Sequence, residues 1–192
     1  MSAASKANLV GVALFVLALC VLQNFASVLE FDRQQILAGQ VWRLWTGHFV
    51  HSHASHLALN AISAVALYWI FAPRIDAFAL WSYGFLFSFL ISIVLLGLYP
   101  NLAWYNGLSG LLHAFFSCIC VHLIHTQNRL YRVGLVAVWS KVLLEMWRAH
   151  GGYQGEMEGM AIIIEAHFIG VVVGTFTAVS YLISKRIAGL SS

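Results

Sequence analysis

The chain of 192 residues is 61% hydrophobic and only 9% charged, with a mean hydropathy of +0.83. An average soluble domain carries about 25% charged residues, so this composition excludes a water-facing globular surface and points to an integral membrane protein. The formal charge of +3 is small and unclustered, which excludes a nucleic-acid partner, and the length fits one helical membrane domain over 1–192 with no separate soluble part.

A helix needs about 20 mostly apolar residues to cross the hydrocarbon core of a bilayer. In chain order six segments meet that need, at 9–29, 56–71, 77–99, 107–125, 130–147 and 161–184. The expected fold is therefore all-α, a polytopic bundle of six transmembrane helices. The first run lacks a small-residue cleavage site and is expected to stay as a helix. Cys20, Cys118 and Cys120 all lie inside apolar runs and read as buried fillers rather than disulfide partners. In the fifth segment Lys141 and Glu145 are spaced i, i+4, share a helix face and can pair, which makes their charges tolerable in the membrane.

The basic residues set the orientation. With the N-terminus inside, Lys6, Arg74, Arg129, Arg132, Lys185 and Arg186 fall on the inner side, and Arg33, Arg43 and Arg148 on the outer side. This bias places both ends of the chain in the cytoplasm. The first connection, 30–55, then lies outside. It carries Trp42, Trp45, Phe49, His48, His51 and His53, so it is expected to sit in the membrane interface. A second outer loop, 149–160, holds Gly151, Gly152, Gly155 and Gly159.

Chemistry enters with Ser109, in Gly107-Leu-Ser-Gly110 at the start of the fourth segment, and His167, in Ala166-His-x-x-Gly170-x-x-x-Gly174 at the start of the sixth. On the topology above both enter from the outer side at a similar depth. A serine hydroxyl is a weak nucleophile until a base takes its proton, and neutral histidine is an inexpensive base to bury. Gly107, Gly110, Gly170 and Gly174 remove side-chain bulk, so the two helices can approach closely. The same spacing also fits plain packing stripes with a satisfied core serine and histidine. On the second segment His56 and Asn60 are spaced i, i+4 and share one face. Near a reacting serine they could donate hydrogen bonds to a tetrahedral oxyanion with the Ser109 amide; elsewhere they form a helix–helix clamp.

Trp42-Arg43, His56-x-x-x-Asn60, Gly107-x-Ser109-Gly110 and Ala166-His167-x-x-Gly170-x-x-x-Gly174, in that order over residues 41–174, resemble the rhomboid intramembrane serine proteases of the minimal six-helix bacterial type. The resemblance implies Ser109 as nucleophile and His167 as general base. It also implies His56, Asn60 and the Ser109 amide as the oxyanion hole, with Trp42 and Arg43 anchoring the outer loop and His51 bonding within it. It implies no carboxylate third member, and Glu165, two residues before His167, points to another side of its helix. Many rhomboids carry a tyrosine one turn after the serine; here that position is His113. The Gly-x-Ser-Gly-x-x-His form resembles the rhombosortase branch, bacterial inner-membrane enzymes paired with secreted proteins that bear a Gly-Gly-containing C-terminal sorting helix.

The expected function is thus cleavage of a transmembrane or membrane-tethered protein near the outer face of the bilayer, without cofactor. A general rhomboid protease with other substrates and an inactive, client-binding relative are the alternatives. The cluster His48, His51, His53 and His56 raises zinc binding or solute transport, but no cysteine or carboxylate is close in sequence and no metal is expected. Individual roles for His48 and His53 do not follow from the sequence.

Overall fold

The computed structural model describes residues 3–71, 77–126, 128–152, 156–157 and 160–189. The long helices are α1 (Ala3–Leu22), α5 (Ala54–Phe71), α6 (Ala77–Leu98), α7 (Ser109–His122), α8 (Leu130–His150) and α9 (Ile164–Ile187). Three short helices, α2 (Ala26–Leu29), α3 (Arg33–Leu37) and α4 (Arg43–Thr46), lie between α1 and α5. Two pairs of two-residue antiparallel strands depart from a purely helical chain. In the first, β1 (Phe31–Asp32) pairs with β2 (Trp104–Tyr105), Phe31 opposite Tyr105; in the second, β3 (Glu156–Met157) pairs with β4 (Met160–Ala161). The first pair ties the 30–55 connection to the segment that leads into Ser109.

Local chemistry explains the helix ends. The run of α1 stops at Gln23 and Asn24, whose amides donate to the carbonyls of Leu19 (2.6 Å) and Val21 (3.0 Å) and satisfy acceptors that a helix end leaves open. α3 begins where the Asp32 carboxylate accepts from the Gln35 N–H at 3.0 Å, an N-cap.

Among the described residues four stretches are long and apolar enough to cross a membrane: Leu9–Leu29, Ala54–Phe71, Ala79–Leu98 and Ile164–Ile187. The other two expected spans differ for physical reasons. α7 has 14 residues, about 21 Å at about 1.5 Å per residue, against a hydrocarbon core of about 30 Å. It starts at Ser109 rather than at Gly107, because Gly107 takes φ +114°, a left-handed conformation that no helix continues through. α8 is long enough at 21 residues, but Arg132, Lys141, Glu145 and Arg148 dilute its apolar character. Large apolar side chains such as Leu14, Phe85, Leu98, Val136 and Phe176 are exposed on the outside of the bundle, as a lipid-facing surface requires. Cys20 is among the exposed residues rather than buried, while Cys120 is buried and Cys118 intermediate; all three are free thiols. In lipid an apolar residue needs no protein cover.

The core centres on α7 and α9. Leu108, Leu111 and Ala114 meet Ala166, Ile169 and Val173, with Phe87, Ile91 and Leu95 of α6 behind them. The α7–α9 contact is backbone against backbone. A Cβ added at Gly170 would collide with the Gly110 carbonyl, and one at Gly174 with the Ala114 carbonyl and the Ser117 hydroxyl. Ser117 Oγ lies 3.1 Å from the Ala114 carbonyl and 3.2 Å from the Val171 carbonyl, so its single proton is shared across the seam. Gly174→Ala should therefore destabilise the protein by about 1–3 kcal/mol through overpacking, whereas Gly11→Ala, inside α1 where a methyl meets nothing within 4 Å, should not lower stability. Thermal unfolding of the two variants in detergent is the check.

Candidate active site

The close seam brings the two helix starts together. Ser109 is the first residue of α7 and His167 the fourth of α9, and Ser109 Oγ lies 2.9 Å from His167 Nε2. His167 is 6% exposed, and its immediate neighbour Ala166 is fully buried. A Cβ on Gly110 would stand 2.9 Å from the Ala166 carbonyl. The residues beside serine and histidine are thus the contact points themselves.

The imidazole is held on two more sides. The His113 ring stacks on the His167 ring, with centroids 4.5 Å apart and planes 15° from parallel. His113 Nδ1 lies 2.7 Å from the Ser109 carbonyl. A carbonyl only accepts, so this nitrogen carries the proton and the ring is fixed one turn below the serine. On the other side His167 Nδ1 lies 3.2 Å from Glu145 Oε2, and Glu145 Oε1 accepts from Lys141 Nζ at 2.7 Å. The i, i+4 pair read from the sequence is present. Its second contact, across to α9, is not in the sequence reading, which assigns no carboxylate to His167. A carboxylate also only accepts, so Nδ1 of His167 bears the proton and Nε2 presents its lone pair to the serine. Glu165 instead lines a cavity of about 480 Å³ with Tyr99, Pro100 and Ile163, which none of Ser109, His113 or His167 lines.

The residues suggested for an oxyanion hole come from α5. The His56 ring occupies the space into which a Gly107 side chain would project: a Cβ there would be 2.6 Å from His56 Cε1. Asn60, one turn along the same face, is 5% exposed. His51 stands edge-on to His56 with ring centroids 5.0 Å apart, and its Nε2 accepts from the Leu108 N–H at 3.4 Å. The backbone N–H of His51 donates to Gln23 Oε1 at 2.7 Å.

The outer connection is built around buried polar groups. Arg43, 4% exposed, donates to the carbonyls of Glu30 (2.7 Å) and Ser27 (3.0 Å) and to Gln40 Oε1 (2.8 Å). Trp42 donates from its indole to the Val28 carbonyl at 3.0 Å. His48, for which the sequence suggests no role, is fully buried and its Nε2 lies 3.0 Å from both the Ser88 carbonyl and the Ser92 hydroxyl of α6. Tyr105 packs edge-on against it and donates to the Gly107 carbonyl at 2.7 Å, so this network reaches the turn before Ser109. His53 lies just before α5 and is half-buried. The cluster separates in part: His48 faces α6, whereas His51 faces Leu108 and His56. Among the described residues no three His, Cys, Asp or Glu side chains converge as a metal site. Gly155 and Gly159 of the second outer loop, and Arg74 of the inner charge set, lie outside the described residues.

A family model of the rhomboid domain matches residues 38–184. The match spans most of the chain and takes in every residue of the geometry above except those of α1 to α3, and the chain belongs to the rhomboid family of intramembrane proteases. No curated protein matches it.

Burial lowers His48 to about 4, and burial together with neighbouring His56 lowers His51 to about 4, from an ordinary 6.5. Both are bases held neutral in the fold. Between pH 6.5 and 4 the unfolded chain binds protons that the folded one refuses, so their contribution is intact above about pH 6.5 and is lost as pH falls towards 4. The unfolding temperature in detergent should drop between pH 7 and 4.5. In His48→Gln the slope over that window should shrink, since one of the groups that carry it is lost. An unchanged slope would remove this account.

Proposed function

We propose that the protein is a serine endopeptidase of the rhomboid type in which Ser109 is the nucleophile and His167 the general base. The observation that carries this reading is the 2.9 Å contact between Ser109 Oγ and His167 Nε2, with the acceptor nitrogen facing the hydroxyl. In the proposed reaction Ser109 Oγ attacks a peptide carbonyl as its proton passes to Nε2. The oxyanion is met by the Ser109 N–H and the side chains of His56 and Asn60. His167 then gives the proton to the leaving amine, and water, deprotonated by His167, releases the acyl group from Ser109. His113 supports the imidazole from its face, and Trp42, Arg43, His51, Gly107, Gly110 and Gly170 hold the elements in register.

The chain acts, on this reading, as one domain over 1–192 with six spans, α7 and α8 completing the four long apolar stretches. Its two ends lie on the cytoplasmic side of a bacterial inner membrane and the site opens to the periplasmic side. The substrate is a transmembrane or membrane-tethered protein. A helical segment must unwind before its amide can be attacked, and glycines lower that cost. The Gly-x-Ser-Gly-x-x-His arrangement, with His113 in the stacking position, favours the rhombosortase branch and so a Gly-Gly-containing C-terminal sorting helix.

Two tests follow. Ser109→Ala and His167→Ala should each abolish cleavage while leaving the folded yield unchanged, and a fluorophosphonate should label Ser109 in the wild type but not in His167→Ala. His56→Ala and Asn60→Ala should each lower kcat about 10²–10³-fold, the typical cost of one oxyanion donor. A folded wild type that takes no label would instead favour an inactive, client-binding relative. Separately, the purified enzyme should cleave a membrane substrate bearing a Gly-Gly-containing tail and fail when both glycines become leucine. Equal cleavage of both would leave a general rhomboid protease.

A further inference from the structure

Glu145 has a carboxylate oxygen that the ion pair with Lys141 does not use. Oε1 takes the lysine at 2.7 Å, whereas Oε2 reaches from α8 to α9 and meets His167 Nδ1 at 3.2 Å. The contact is not a chance meeting of long side chains. One turn below it α8 packs on α9 through Val138 and Val142 against Val171, with Trp139 and Phe168 alongside. Val138, Val142 and Glu145 lie on one face of α8, and Val171 and His167 lie on one face of α9, four residues apart. Packing therefore sets the depth at which the carboxylate meets the imidazole.

We propose that Glu145 is a positioning residue for the reaction, so that this protein works with Ser109, His167 and Glu145 rather than with serine and histidine alone. The inference rests on the reading of Ser109 and His167 given above. Glu145 takes no proton. It holds the proton of His167 on Nδ1, which leaves Nε2 to accept the Ser109 proton. When that proton arrives, the imidazolium is faced by a carboxylate on one side and by the His113 ring on its face. Lys141 keeps the carboxylate turned towards the bundle and offsets the cost of its charge in the membrane. Serine attack creates the imidazolium, so the carboxylate is worth more in the transition state than in the ground state. Its loss must therefore appear in kcat rather than in KM.

The test compares wild type, Glu145→Gln and Lys141→Met, purified in detergent. Glutamine keeps the shape but not the charge, and its amide can donate to Nδ1 and impose the wrong tautomer. An acid-to-amide change of this kind in a serine-protease triad costs about 10⁴-fold. Here the carboxylate is 27% exposed, and a fall in kcat of about 10²-fold is expected for Glu145→Gln with KM within about three-fold of wild type. The rate of fluorophosphonate labelling at Ser109 should fall in parallel. In protein labelled with ¹⁵N-histidine the Nδ1 proton of His167 should resonate far downfield, as a proton bonded to a carboxylate does, and this signal should vanish in Glu145→Gln. Lys141→Met leaves the Glu145–His167 contact and should lose less than about ten-fold. Wild-type kcat in Glu145→Gln, or equal losses in the two variants, would overturn the proposal and reduce Glu145 to an ion-pair partner. Absence of label on wild-type Ser109 would overturn instead the reading on which it rests.

Discussion

The structure depends on one contact, the backbone-to-backbone seam between α7 and α9. In a bilayer helices gain little from burying apolar surface against each other, because lipid tails are as apolar as leucine. Close van der Waals packing and interhelical hydrogen bonds must supply the association. The seam has both. Gly110, Ala114 and Ser117 meet Ala166, Gly170 and Gly174 with no room for another carbon, and the Ser117 hydroxyl bridges the carbonyls of Ala114 and Val171. Ser109 adjoins Gly110 and His167 adjoins Ala166. The 2.9 Å between serine and histidine is therefore inherited from the packing. A helix pair held apart by even one methyl would not keep it, since short hydrogen bonds weaken quickly with distance.

The outer connection solves a second problem. Irregular backbone near the membrane is tolerated only where its polar groups find partners inside the protein. Arg43, Trp42 and Thr46 together take up the carbonyls of Ser27, Val28, Leu29 and Glu30, four consecutive residues that leave the end of the first helical stretch. The His48 and Tyr105 network does the same deeper in the fold and ends on the Gly107 carbonyl. Gly107 is the joint between this framework and the site. Its left-handed φ turns the chain into α7, and its missing side chain admits the His56 ring. The connection thus sets the position of Ser109 through hydrogen bonds, as the seam sets that of His167 through packing.

How much of this was legible in the sequence follows from range. Contacts governed by helix period could be read: His113 one turn after Ser109, Asn60 one turn after His56, and Glu145 one turn after Lys141. The glycine stripes announced a close seam, although spacing alone could not name the partner helix. What stayed hidden depends on how elements meet. The pairing of Glu145 with Lys141 accounts for one oxygen and conceals the second, which the packing of α8 on α9 reveals. His48 carried no signal, because its partners, Ser88 and Ser92, lie 40 residues or more away on α6. The extent of α7 was overestimated because apolarity continues past both of its ends, while Gly107 and the turn after His122 stop the helix.

The short α7 and the charged α8 bear on the same requirement. A helix of 14 residues cannot fill the thickness of the hydrocarbon core, so an end of α7 must stop within it. On the neighbouring α8, Lys141 is 47% and Glu145 27% exposed. An ion pair turned to lipid would be costly, and such groups in membrane proteins face a bundle interior or a water-filled space. The pair leads directly to the Nδ1 side of His167, whereas Nε2 faces Ser109 and the His113 ring covers one face. Among the described residues the ion pair thus brings partly exposed polar surface to the Nδ1 side of the imidazole. On the proposed reading, a hydrolytic reaction at Ser109 needs one water for every acyl group released, and the partly exposed ion pair offers polar surface beside His167 without unpacking the seam.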